Sequence, residues 1–138
     1  MEKILTGVLT SNGAEVAGDR LRACEKVLNK YGFFFPPLYF GTLNIELDQP
    51  FTTPDIEGLF IPQNEIDQVA PGYAEWWRLI PIISVNGKKV TGFILRTKQN
   101  FHGDGVAELV TEDLSSWDNI RLNQGVRIKI IAKIEKST

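Results

Sequence analysis

With 138 residues, 43% of them apolar and 23% charged, and a net charge of −2, the chain is sized for one domain over 1–138 that buries its own core, and its charge marks no nucleic-acid surface. Its longest apolar runs, such as Phe33 to Phe35 and Ile130 to Ala132, fall far below the roughly 20 residues of a membrane span, so the expectation is a cytoplasmic protein with neither a membrane nor a nucleic acid as partner. One cysteine, Cys24, and one histidine, His102, exclude an internal disulfide and a Cys/His zinc site, which leaves a hard, oxygen-ligated cation such as Mg²⁺ as the metal to consider.

Glu2 to Thr10 is rich in Ile, Leu, Val and Thr and reads as a first strand, ended by the turn-forming Ser11-Asn12-Gly13. From Asp19, a candidate N-cap, apolar residues at Leu21, Cys24, Leu28 and Tyr31 follow helical spacing, and Gly32 stops the helix. "FFFPPLYFGT" carries two prolines and reads as a rigid connection, after which Ile45 and Leu47 alternate with Glu46 and Asp48 as a strand does. Prolines 50, 54, 62 and 71 make Gln49 to Gly72 mostly loop, with a short strand at Leu59 to Ile61. Ala74 to Val85 is a long β-favouring run, Asn86-Gly87 is a strong hairpin signal, and Lys88 to Thr97 is the returning strand. Val106 to Thr111 reads as a strand, Leu114 to Ile120 as a helical turn, and Val126 to Glu135 as a final half-buried strand. About six strands, one principal helix and no βαβ rhythm predict a mainly β protein, a compact barrel with the helix covering one opening.

Cys24 lies on the apolar helix face without a neighbouring base and reads as a core residue. No phosphate loop of the G-x-x-x-x-G-K-[ST] type is present. Gly103-Asp104-Gly105 reads as a turn between strands, with anion wrapping as the alternative. Thr42 and Asn44 stand two apart at the head of a strand and so project to one side. They either supply two neutral oxygens to an octahedral Mg²⁺ or pin a loop by side chain to backbone hydrogen bonds, and spacing alone favours the second.

"GTLNIELD", Gly41 to Asp48, resembles the signature of the archaeal CTP-dependent riboflavin kinases, and the resemblance continues through "NKYGF", "WWRLIPIISVNGKKVTGFILRTKQNFH", "VAELV" and "LNQGVRIKI" in collinear order. It implies a six-stranded cradle-loop barrel that converts riboflavin and CTP into FMN and CDP with Mg²⁺. By that resemblance Thr42 and Asn44 are the metal ligands, Asn100 and Glu108 contact the flavin, and Ser11, Asn12 and Gly13 belong to the nucleotide loop. The match at Glu108 is identical, whereas Asn100 stands where the family has threonine.

The chain also departs from that family. Its first loop, "TSNGAEVAG", replaces a Gly-x-Gly-x-Gly cradle, and "TEDLSSWDNI" brings acids where the family brings basic residues, leaving Arg20, Arg22, Arg96 and Lys98 to neutralise phosphates. Two other readings follow: a cradle-loop barrel that binds a flavin or nucleotide without phosphotransfer, and an interaction domain using whichever of the adjacent Trp76 and Trp77 faces solvent.

Overall fold

The computed structural model describes residues 2–12, 14–34, 42–50, 59–72, 75–98, 103–112, 114 and 125–133. The described elements are strands β1 (Glu2–Asn12), β2 (Leu43–Leu47), β3 (Leu59–Ile61), β4 (Trp77–Val85), β5 (Lys88–Lys89), β6 (Gly92–Thr97), β7 (Val106–Thr111) and β8 (Arg127–Lys133), with helices α1 (Ala14–Ala23), α2 (Glu25–Lys30) and α3 (Gln63–Val69). Six strands run β4-β6-β7-β2-β1-β8, and β8 pairs back onto β4 to close an antiparallel barrel, while β3 and β5 are short additions to β4. Closure leaves those six strands without a free edge along their pairings. The expected six-stranded, mainly β barrel is the observed one.

Strand alternation divides the apolar residues into two cores. Leu5 and Leu9 of β1, Ile45 and Leu47 of β2, and Ile80 and Ile94 of β4 and β6 belong to the cluster that fills the barrel. Trp77, Leu79, Phe93 and Leu95 of β4 and β6 point the other way, into a second cluster with Leu21, Leu28 and Ile66 from the helices and Cys24 between α1 and α2. The helices therefore cover the outer face of β4 and β6 rather than a barrel opening, which corrects the expectation. Irregularities tune the alternation: the β4–β8 register shifts between Ile82 and Ser84, which lets both Ile82 and Val85 face inward.

The helix expected from Asp19 begins earlier, at Ala14, and is divided at Cys24 into α1 and α2. Asp19 is thus inside α1 and not its cap. The helix ends where Gly32 predicts: Gly32 adopts φ +96°, its N–H donates to Asn29 O at 3.0 Å, and Phe33 N–H donates to Leu28 O at 2.9 Å. This is a Schellman ending, in which a left-handed glycine lets the last carbonyls be satisfied. Phe33 then packs edge-on against Phe93 with ring centroids 4.7 Å apart, fastening the helix end to β6. α3 lies in the segment expected to be loop. It buries only Ile66 fully, and Glu65 joins it to α2 by accepting from Lys30 Nζ and Tyr31 Oη.

The expected hairpin at Asn86-Gly87 is present, with φ +50° and +79° at the two turn residues as a type I′ turn requires. Asn86 also accepts from Lys129 N–H through Oδ1 at 2.7 Å, which docks the turn on β8. The expected strand from Ala74 starts at Trp77, and the final strand is described from Arg127. Leu114 is buried and outside any helix, and the rest of the helical turn expected there lies outside the described residues.

α1 is tied to the segment just before β4 by a buried ion pair. Arg20 Nη2 contacts Glu75 Oε1, their side chains are 11% and 2% exposed, and Trp77 Nε1 donates to the same carboxylate oxygen at 2.9 Å. Removing one member of such a pair leaves an uncompensated buried charge. Glu75→Gln is expected to destabilise the fold by roughly 3 kcal/mol, read as a lower urea midpoint with an unchanged slope. Loss of less than a quarter of that would show that the Arg20 charge is accommodated without Glu75.

Candidate functional site

β2 occupies the middle of a three-strand rung. Asn44 stands opposite Ser11 of β1 on one side and opposite Glu108 of β7 on the other, and Leu43 likewise stands between Asn12 and Leu109. Because Ile45 and Leu47 point into the barrel, Asn44 and Glu46 point outward, and so does Glu108 between the inward Ala107 and Leu109. Directly opposed residues have Cβ atoms about 4.5–5.5 Å apart, so the amide of Asn44 and the carboxylate of Glu108 are neighbours on the outer surface. The next residue along the rung, opposite Glu108, is Leu95, part of the helix-covered core. The pair therefore borders the helical layer.

Thr42 immediately precedes β2 and is 4% exposed, with Asn44 at 8%. The β1–β2 register shifts between Leu9 and Ser11, and Thr10 Oγ1 at this irregularity donates to the Asn44 carbonyl at 3.1 Å. Strand bulges re-aim local side chains and ladders. Here one sets how the end of β1 meets the Thr-Leu-Asn segment. Gly13 and Asn100 lie outside the described residues, as do the side chains of Ser11 and Asn12.

Among the described residues no group of three or more His, Cys, Asp or Glu side chains is placed to hold a metal. The Thr42 hydroxyl and Asn44 amide are neutral oxygen donors, with the Glu108 carboxylate beside Asn44 in register. That donor set fits Mg²⁺, which takes oxygen ligands and is commonly held by few protein groups together with substrate phosphates. It does not fit a soft or tightly caged metal.

The basic residues considered for phosphate binding are differently placed. Arg20 is engaged with Glu75, and Arg22 meets Asp19 at 3.4 Å on the exposed side of α1. Arg96 is 2% exposed; its Nη1 donates to Gly103 O at 3.1 Å and to Asp104 Oδ1 at 3.2 Å, and its Nη2 donates to Asp104 O at 3.3 Å. Burial lowers the Arg96 pKa from its usual value, opposed by the charges of Asp104 and Glu108. Gly103-Asp104-Gly105 is thus a turn gripped by a buried guanidinium, with Gly105 O also accepting from Leu47 N–H at 2.8 Å. Asp104 spends its carboxylate on Arg96. Glu108, whose charge also acts on Arg96, is the acid opposite Asn44.

Cys24 is fully buried, and desolvation pushes its thiol up to about 12, the reverse of what a nucleophile needs. Of the aromatic residues near the Gly41 to Asp48 stretch and at Phe101, Phe33 is committed to Phe93, Phe34 is exposed, and Phe35, Tyr39, Phe40 and Phe101 lie outside the described residues. Trp76 and Trp77 face opposite ways as expected: Trp77 is buried beneath the helices, whereas Trp76 is half-buried beside Phe60. Among the described residues no helix is long and apolar enough to cross a membrane.

Two residues that the sequence did not single out stand together at one end of the barrel, Phe60 and Arg78. The guanidinium carbon of Arg78 lies 5.4 Å from the Phe60 ring centre. The signal available was the period of β4, which gives Arg78 the inward parity of Ile80 and Ile82. Comparison with known protein families gives no matching family model, and no curated protein matches the chain.

Proposed function

We propose that the protein is a riboflavin kinase that transfers the γ-phosphoryl group of CTP to riboflavin with Mg²⁺, giving FMN and CDP. The observation that carries this reading is the rung that joins Ser11, Asn44 and Glu108. These positions lie far apart in the chain, and the resemblance assigns them separately to nucleotide, metal and flavin. The six-stranded barrel agrees with the fold that resemblance implies.

In this reading Thr42 and Asn44 contribute oxygen ligands, and bound Mg²⁺ supplies neutralisation of the phosphate charge. Glu108, next to Asn44 and with Asp104 tied to Arg96, accepts a hydrogen bond from the hydroxyl to be phosphorylated. Phosphoryl transfer depends chiefly on positioning and charge stabilisation, so a carboxylate that orients the hydroxyl suffices without a strong base. The test is incubation of purified protein with riboflavin, Mg²⁺ and either CTP or ATP, followed by chromatography for FMN. The expected result is FMN with CTP in excess of ATP; absence of FMN with every nucleotide would overturn the assignment.

A further inference from the structure

β4 changes partner along one edge. Ile82, Ser84 and Val85 pair with β8, whereas Trp77, Arg78 and Leu79 pair with β3. Where β8 gives way to β3, the face that lines the barrel continues past its end and meets solvent. Phe60, Arg78 and Arg96 form one rung of that continued face, since Phe60 stands opposite Arg78 and Arg78 opposite Arg96. Trp76 lies one step further along the same face, with its carbonyl accepting from Lys98 N–H at 3.1 Å.

Three cations thus share this end: Arg78, Arg96 and Lys98. Among the described residues the acids whose charges reach them are Asp104, already engaged by Arg96, and Glu108, which also acts on Arg96. Like charges opposed across a strand pair repel. Arg78 has no carboxylate partner among the described residues, and its Nε is buried without a hydrogen bond. Its contact is with the face of Phe60, a ring 44% exposed and itself packed on Trp76 at a centroid distance of 5.6 Å. Stacking on an aromatic ring fixes the plane of a guanidinium and leaves its donor fork available, the arrangement suited to a phosphate. The two rings, inclined at 47° to each other, supply an angled aromatic surface beside it.

We infer that Phe60, Trp76 and Arg78 form a binding site for a planar aromatic compound carrying a phosphate, with the ring on Phe60 and Trp76 and the phosphate on the Arg78 fork. The site lies on the opposite face of the sheet from Asn44 and Glu108, and the inference does not rest on the kinase reading. The ligand chemistry is shared by purine nucleotides and flavin phosphate.

The test is calorimetric titration of the full chain, without Mg²⁺, with AMP, FMN, adenosine, riboflavin and inorganic phosphate. Saturable binding of AMP or FMN is expected, at least tenfold tighter than its dephosphorylated form and than inorganic phosphate, and the tighter of the two names the ring class. Arg78→Gln should weaken the phosphorylated probe about tenfold or more while leaving the dephosphorylated form unchanged; Phe60→Ala should weaken both. Arg78→Gln should melt at or above the wild-type temperature, because a repulsion with Arg96 is removed. The inference is overturned if neither AMP nor FMN binds, if inorganic phosphate binds as tightly, if Arg78→Gln leaves affinity unchanged, or if that variant melts well below wild type.

Discussion

Replacing Thr42 and Asn44 together by alanine is expected to lower FMN formation by on the order of 10³-fold while the barrel remains folded. Both side chains are neutral oxygen donors at the head of β2, and in the kinase reading their role is to hold the cation that positions the phosphates. Losing that hold removes both alignment and charge stabilisation, the two terms on which phosphoryl transfer depends. The structural cost is smaller. Both residues are buried, so each substitution gives up a polar contact worth about 1 kcal/mol, a shift of several degrees in melting temperature. Turnover and melting are measured on the same preparation. Turnover within tenfold of wild type would show that the cation is held elsewhere, and loss of cooperative melting would show that the pair is structural, as spacing alone suggested.

The parts of the fold legible in the sequence are those where a local rule and the tertiary structure agree. Asn86-Gly87 demanded two positive φ angles and has them, and Gly32 ended the helix through the hydrogen bonds its own φ permits. The alternation in β8 announced a half-buried strand because one face meets the barrel core and the other water. α3 was hidden for the opposite reason. Seven residues with one fully buried side chain give no periodicity to read, and the flanking Pro62 and Pro71 read in sequence as loop punctuation. In the structure they mark the helix limits, since proline suits the positions just before a helix and just past its end. The start of α1 was misplaced because Asp19 resembles a cap in sequence while its neighbours continue the helix on both sides.

The candidate site was legible in its parts and not in its assembly. That Thr42 and Asn44 share a side follows from strand period. That Asn44 lies between Ser11 and Glu108 depends on pairings across intervals of more than 30 and 60 residues, and on a register shift at Thr10 that no local pattern reports. Arg78 illustrates the same limit. Its sequence context reads as one polar residue in an apolar strand, and only the position of β3 shows that it sits beyond the barrel's end, beside an exposed ring.

Gly92→Ala is expected to destabilise the protein by about 4 kcal/mol or more, among the largest effects a single methyl group produces. Gly92 opens β6 opposite Thr111, where the strand passes so close to β7 that an added Cβ would run into the Val110 carbonyl oxygen and come within 3.0 Å of Thr111 Cα. The obstacle is backbone already committed to the barrel, so no side-chain rotation relieves it. Gly7 is the matching case on β1: its Cβ would meet the Glu46 carbonyl oxygen and lie 2.9 Å from the Glu46 carbonyl carbon. Small barrels turn their corners at such glycines, because strong coiling brings neighbouring strands too close for a side chain. Gly87→Ala separates this cause from backbone conformation. Gly87 has φ +79° and nothing within 4 Å of an added Cβ, so its substitution should cost only about 1–2 kcal/mol. Urea denaturation of the three variants measures the difference. If Gly92→Ala and Gly7→Ala cost no more than Gly87→Ala, the close approaches are relieved by strand movement and the barrel is less tightly coiled than its register requires.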